Sequence, residues 1–320
     1  MTKLEKSALK LLPSPRSNIH KTKLWKSISK NWVLYLFLLP CIAYVATFNY
    51  APLYGIQIAF KNFRASLGIL GSEWVGFEHF IRFFESYQFE TLLYNTISLS
   101  LYQFIASFPA PFILALVLNY ATIPWLKKFT QTSTYAPHLI SVVVMAGMLI
   151  IFSSPTGLLN QLAGLFGIEP IALLGRNDLY QSVYVWSTVW QRTGFNSVIY
   201  IAALSSVNEE LYEAAVIDGA SKFKRVLHID IPAILPTMVI LLIMSVGNLM
   251  SIGFEKSFLI QNDLNLERSE IIATYVYKVG IQGAQYSYAS AIGIFNNIIN
   301  FILLITINRI SNKVSGNSLW

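Results

Sequence analysis

The sequence predicts an all-α integral membrane protein with six transmembrane helices, and three observations lead there. Of 320 residues, 54% are hydrophobic and only 12% charged, against roughly 25% charged in a soluble domain, and the mean hydropathy is +0.53. Six stretches, residues 32–50, 94–118, 133–152, 183–204, 231–252 and 289–308, are apolar over the ~20 residues a helix needs to cross ~30 Å of hydrocarbon. Lys and Arg are richer in alternate connections, which is the pattern set by the positive-inside rule.

Residues 1–31 carry Lys3, Lys6, Lys10, Arg16, Lys21, Lys23, Lys26 and Lys30 against Glu5 alone, so the N-terminus is expected in the cytoplasm. Counting on from there, inner segments hold 15 basic residues and outer loops 7, with Arg192 left inside a span. Both termini are therefore expected inside. The net charge of +7 is accounted for as a topology signal, and nucleic acid is not expected as a partner. The basic lead is too long for a signal peptide, and the first span reads as an uncleaved anchor. Cys41 is the single cysteine and the four His lack ligand spacing, which leaves no intrachain disulfide and no metal site.

Along the chain, residues 1–31 read as a basic cytoplasmic tail, and 32–90 as the first span with an extracytoplasmic loop. Residues 91–309 read as a core of five further spans, and 310–320 as a second cytoplasmic tail. In the outer loop, the pattern of Glu78–Ser86 predicts a short amphipathic helix at the membrane surface. Pro40 in span one and Pro109 and Pro111 in span two predict kinks, because proline removes a helical amide.

The inner loop 205–230 has the clearest local signals. Asn208 is a good N-cap, Glu209 and Glu210 suit the positive end of a helix dipole, and Asp218-Gly219 is a stop. A helix of about two and a half turns follows, Glu209–Ile217, whose Leu211, Ala214, Ala215 and Ile217 form an apolar, partly small-sided surface. It is too short to be stable alone in water and needs a surface to dock on. A basic amphipathic segment, Ser221–Leu227, leads to Pro232 at the start of span five, where a missing amide costs little.

Polar residues recur at helical spacing within the spans: Asn95, Ser98 and Tyr102; Arg192, Asn196 and Tyr200; Ser245 and Asn248; and Gly293, Asn296, Asn297 and Asn300. Two readings stand. They line a wet path, where amides and phenols suit sugar hydroxyls and Tyr102, Trp190 or Phe195 stacks on a sugar face; or they join helices. Arg192 has no acidic partner within the spans. It either meets the carboxylates of a uronic-acid oligosaccharide such as alginate or pectin fragments, or snorkels to the outer interface or bonds exposed carbonyls.

The spaced pattern Glu213-Ala214-Ala215, Gly219, Ile229-Asp230-Ile231-Pro232 resembles the EAA signature of ABC-importer permeases, with Ile231 in place of Leu. FNYAPLYGIQIAFKNF (48–63), SEWVGFEHFIRFF (72–84), LYNTISLS (93–100), QTSTYAPHLISVVV (131–144), YIAALSSVNEELYEAAVIDGA (200–220) and TYVYKVGI (274–281) resemble the LplB-like polysaccharide permeases of the first carbohydrate-uptake family, a MetI-like, binding-protein-dependent group. Phe195, where Trp is expected, and the loop SSPTGLLN (153–160) depart from that pattern. The resemblance implies a type I importer fold and an assembly with a second, non-identical permease, two ABC ATPases and an extracytoplasmic sugar-binding protein in a bacterial cytoplasmic membrane. It further implies that ATP and Mg are bound by the ATPases, and that the helix in loop 205–230 couples them to alternating access. Glu213, Ala214, Ala215, Asp218, Gly219, Leu211, Ile229 and Pro232 are its coupling residues.

A secondary carrier is expected to place acids in its spans, and the six hold none; Glu255 lies just beyond the fifth. No HExxH, GxSxG or GxxxxGK[ST] pattern occurs, so no catalytic set and no ATPase of its own is expected. An ATP-independent channel fits hydropathy but gives no reason for the loop motif.

Overall fold

The computed structural model describes residues 30–316, 318 and 319. Most of the expected basic tail, residues 1–29, lies outside the described residues. The chain forms two units, Met1–Gln57 and Ile58–Trp320. In the first, α1 (Trp32–Val45), with Pro40 inside it, runs into a π turn (Ala46–Tyr50) and then into 3-10 turns (Ala51–Phe60) whose last three residues belong to the second unit. The run Trp32–Phe60 is long and apolar enough to cross a membrane.

The second unit opens with a small departure from an all-helical fold. Strand β1 (Lys61–Asn62) pairs antiparallel with β2 (Glu73–Trp74), Lys61 opposite Trp74, around α2 (Gly68–Gly71). Lys61 donates to the Ile69 carbonyl at 2.7 Å and lies 4.7 Å from the Trp74 ring centre. The amphipathic helix expected over Glu78–Ser86 is α3 (Glu78–Phe84). Its buried Phe83 meets Phe89 and Phe295 edge-on at 5.1 and 5.5 Å, a geometry set by the ring quadrupoles.

Span two is a pair, α4 (Phe89–Ser107) and α5 (Pro109–Asn119), continuous as one run of 31 residues. Span three departs from expectation. Instead of one helix over 133–152, α6 (Pro124–Tyr135) passes through a 3-10 turn (Ala136–Leu139) and then bends by 100° into α7 (Val142–Phe152). Pro137 and the extended Ile140 stop the first helix, and Ser141 caps the second by accepting from the Val144 amide at 3.3 Å. The freed Ile140 carbonyl accepts from the buried Gln191 side chain at 2.9 Å, so the break leaves no orphaned acceptor there. After α8 (Leu158–Gly164), Asn160 ties its loop together through the carbonyls of Ser154 and Ile171.

Helix α9 (Asn177–Ser205) contains span four. It packs against α4, α5 and α6 through a stripe of buried residues: Tyr180, Tyr184, Thr188, Gln191, Gly194, Ser197, Tyr200 and Leu204. The three- and four-residue intervals are those of one helix face. Gly194 makes the tightest crossing: a Cβ there would lie 2.1 Å from the Thr134 carbonyl oxygen, so only glycine permits this approach.

After α10 (Glu209–Ile217) and α11 (Lys222–Arg225), a π turn (Val226–Asp230) leads into α12 (Ile231–Gly247). Span five therefore begins earlier than residue 231 and stops short of 252: Lys222–Gly247 is one helical run. The wide turn absorbs Pro232, which cannot donate to the preceding turn. Short helices α13 (Phe254–Ile260), α14 (Leu266–Ser269) and α15 (Ile272–Tyr277) precede α16 (Tyr286–Ser315). Span six lies within α16, which continues through residues expected in the C-terminal tail. Among the described residues, four helices are long and apolar enough to cross a membrane, or five with the bent pair. The sixth expected span falls in α9, which is long enough but too polar for that count, its buried face carrying Thr188, Gln191 and Ser197.

Candidate functional site

The loop helix forms where its end signals put it. Asn208 accepts from the Glu210 amide at 3.0 Å, with Glu209 and Glu210 in the first turn. At the far end, Gly219 has φ of +70°. Its amide bonds the Val216 carbonyl at 3.0 Å and the Ala220 amide bonds that of Ala215 at 2.8 Å, which is the Schellman closure a left-handed residue permits. None of the residues of α10 is fully buried. Leu211, Glu213, Ala214, Ile217, Asp218 and Gly219 are exposed, Ala215 and Ile229 half-buried, and Pro232 exposed. The loop thus presents a helix face with apolar and acidic groups in reach of a partner.

The base of the loop is fixed. Asp230 is 0% exposed and accepts from the Tyr120 hydroxyl at 2.7 Å and from that of Tyr212. Burial, followed by the bond to Asp230, pushes Tyr212 up to about 12 and raises Tyr120 further, so both phenols keep their protons and donate. Arg225 lies 5.7 Å from the Tyr120 ring centre.

A cavity of about 740 Å³ lies along α4, α9, α12 and residues 248–256. Of the sequence-predicted path residues, Arg192, Asn196, Tyr200 and Asn248 line it, with Ser245 beside them. Arg192 and Asn196 are exposed. Asn248 also donates to the Met244 carbonyl at 3.0 Å.

The others lie elsewhere. Asn95 is buried and donates to the carbonyls of Glu267 and Glu270 at 2.8 and 3.0 Å. Tyr102 accepts from the Trp186 indole at 3.0 Å. Asn300 accepts from the Met250 amide and donates to Ser251, each at 2.9 Å, and Asn296 donates to the Met250 carbonyl at 3.3 Å. Asn297 is exposed, off the cavity. Asn296 and Asn300 therefore serve the broken backbone after α12.

Two features of the cavity were not singled out from the sequence. On α4, Ser100, Gln103 and Ser107 line it, and Ser100 Oγ, Gln103 Oε1 and Ser107 Oγ are buried with no protein hydrogen-bond partner. Their spacing matches that of Asn95, Ser98 and Tyr102, so periodicity offered two polar faces and no means of choosing between them. The second is Lys256, counted in the sequence only as an outer-loop charge. It is 7% exposed and donates to the Tyr184 carbonyl, Ser187 and Thr188 at 3.0, 2.8 and 2.7 Å. Burial, reinforced by the charge of Arg192, pushes its ammonium down to about 7.

A bundle with a cavity lined in part by polar and charged side chains, a bent third span and a capped loop helix before the fifth defines a membrane permease. The family model for binding-protein-dependent transport system inner membrane components matches residues 92–316, and the chain belongs to that family. It is 40% identical to the polygalacturonan/rhamnogalacturonan transport system permease protein YteP of Bacillus subtilis (strain 168), over 90% of each chain. It is 39% identical to protein LplB of the same organism, over 90% of this chain and 91% of that one. Among solved structures, a bacterial ABC transporter involved in import of the acidic polysaccharide alginate is 36% identical, with a TM-score of 0.85 over 92% of this chain and 99% of that one. A bacterial alginate ABC transporter in complex with alginate pentasaccharide-bound periplasmic protein is also similar, 35% identical with a TM-score of 0.85 over 93% of this chain and 100% of that one.

Proposed function

We propose that this chain is one permease subunit of an ATP-driven importer that takes up uronic-acid-containing oligo- or polysaccharide handed over by a solute-binding protein. The observation that carries the reading is the loop helix α10, capped at both ends, open on its outer face and tied at its base to the membrane helices. Glu213, Ala214, Ala215, Leu211, Asp218 and Gly219 would meet one of two partner ATPases, which would bind ATP and Mg. Ile229 and Pro232 would join that contact to α12. A second, non-identical permease would complete the path, and this chain would catalyse no reaction itself. The six spans, with both termini cytoplasmic, would lie in a bacterial cytoplasmic membrane. The similarity to permeases for polygalacturonan and alginate supports an acidic substrate, and the cavity supports it separately through Arg192 and Lys256.

Native mass spectrometry of the chain purified from its host tests the assembly. One copy with one other permease and two ATPases, lost on Glu213→Lys with Gly219→Val, is the expected result; a monomer or homo-oligomer without ATPase would return the chain to the channel or carrier class. For the substrate, Arg192→Gln should reduce uptake of trigalacturonate about tenfold or more, as expected for one lost charged contact, while a neutral oligosaccharide of equal length is spared. Equal loss of both would remove the charge-recognition role.

A further inference from the structure

Three elements that follow one another at wide intervals in the chain meet at a single carboxylate. Tyr120 lies just past the end of α5, Tyr212 is on the loop helix α10, and Asp230 opens α12. Asp230 is 0% exposed and has no basic group within ion-pair distance among the described residues. A buried carboxylate of this kind is costly unless hydrogen bonds hold it, and here the two phenol hydroxyls do so. Each bond is charge-assisted and therefore stronger than a neutral one. The EAA pattern gives this position no identity: Asp230 is the variable residue between Ile229 and Ile231.

We propose that Asp230 is the joint through which displacement of α10 is passed to α5 and α12 together. Tyr212 is the single residue of α10 with a side-chain bond to this carboxylate among those described, Tyr120 holds the same carboxylate beside the end of α5, and Tyr212 also bonds the Asn119 side chain there. Pulling on α10 therefore loads two membrane helices at one point. Asp230 is a positioning residue: it touches neither sugar nor nucleotide. The inference rests on the importer reading above, because it needs an ATPase to move α10.

Asp230→Ala leaves a hole and takes the shared acceptor from both hydroxyls and is expected to fold poorly, so the deciding variants are Tyr212→Phe and Tyr120→Phe, which each remove one oxygen. The full complex, reconstituted with its partner subunits and binding protein, is assayed for trigalacturonate moved per ATP hydrolysed. Both variants are expected to assemble and hydrolyse ATP as the wild type does, yet to move about fivefold less sugar per ATP, the size of a modest coupling change. The pair combined should be no worse than about the larger single effect, since one broken joint already uncouples. A ratio unchanged from wild type overturns the proposal, and so does a fall in assembled complex with an unchanged ratio, which would mean a purely structural carboxylate. A wild-type chain that never assembles with ATPases sinks the importer reading itself, an outcome visible before any variant is compared.

Discussion

Lys256 and Asp230 are buried charges of opposite sign, and the protein treats them differently. Each is held by neutral partners: Lys256 by a carbonyl and two hydroxyls, Asp230 by two phenols. The three acceptors of Lys256 all belong to α9, so its ammonium fastens one helix to the short α13 and sends its field into the cavity beside Arg192. The donors of Asp230 come from two separate elements, so its carboxylate makes a junction. A satisfied charge inside this bundle thus serves either as a local field or as a mechanical node, and what decides is how many elements supply its partners.

Substitutions can break or sharpen that contrast. The largest effect is expected from Asp230→Ala, which removes a buried carboxylate from two half-buried hydroxyls and should cost about 3 kcal/mol, from the usual penalty per lost hydrogen bond and the hole left behind; chemical unfolding in detergent measures it. A loss under about 1 kcal/mol would mean the phenols find other partners and the junction is weak. Gly194→Ala should follow at about 2 kcal/mol through forced separation of α9 from α6, seen as a lower unfolding midpoint. Lys256→Met keeps the stem and removes the charge. It should change stability by about 1 kcal/mol in either direction, because the ion's desolvation cost is relieved as its bonds are lost, while uptake of acidic sugar falls more than uptake of neutral sugar. The smallest effect concerns pH. With Lys256 near 7, the cavity holds its second positive charge below that value and loses it above, so acidic-sugar uptake should decline as pH rises from 6 to 8 by about a factor of two; the decline should vanish in Lys256→Met and persist if another group is responsible.

How much of this was legible depended on whether the signal was local. Asn208, the paired glutamates and Gly219 bounded α10 at Glu209–Ile217 because caps act within a few residues of themselves. The bend after Leu139 was missed because hydropathy runs straight through it; Pro137 and Ser141 are local signals, but the bond that makes the break tolerable comes from Gln191, 51 residues away. The asparagines of α16 illustrate the same limit. Their spacing puts Asn296 and Asn300 on one face, yet whether that face meets a cavity or another segment's backbone depends on where α12 ends. Lys256 sits on a helix of seven residues, too short for periodicity to reveal a buried side, and the importance of Asp230 comes entirely from partners 110 and 18 residues distant.

The contact at Gly194 gives the long helix α9 a fulcrum. Backbone touches backbone there, and the point lies off centre: 17 residues separate it from Asn177 and 11 from Ser205, arms of about 25 and 16 Å at 1.5 Å per residue. A tilt about that point moves the Asn177 end roughly one and a half times as far as the Ser205 end. With such arms, any displacement beside the loop helix that tilts α9 on this contact is magnified at the opposite end of the helix.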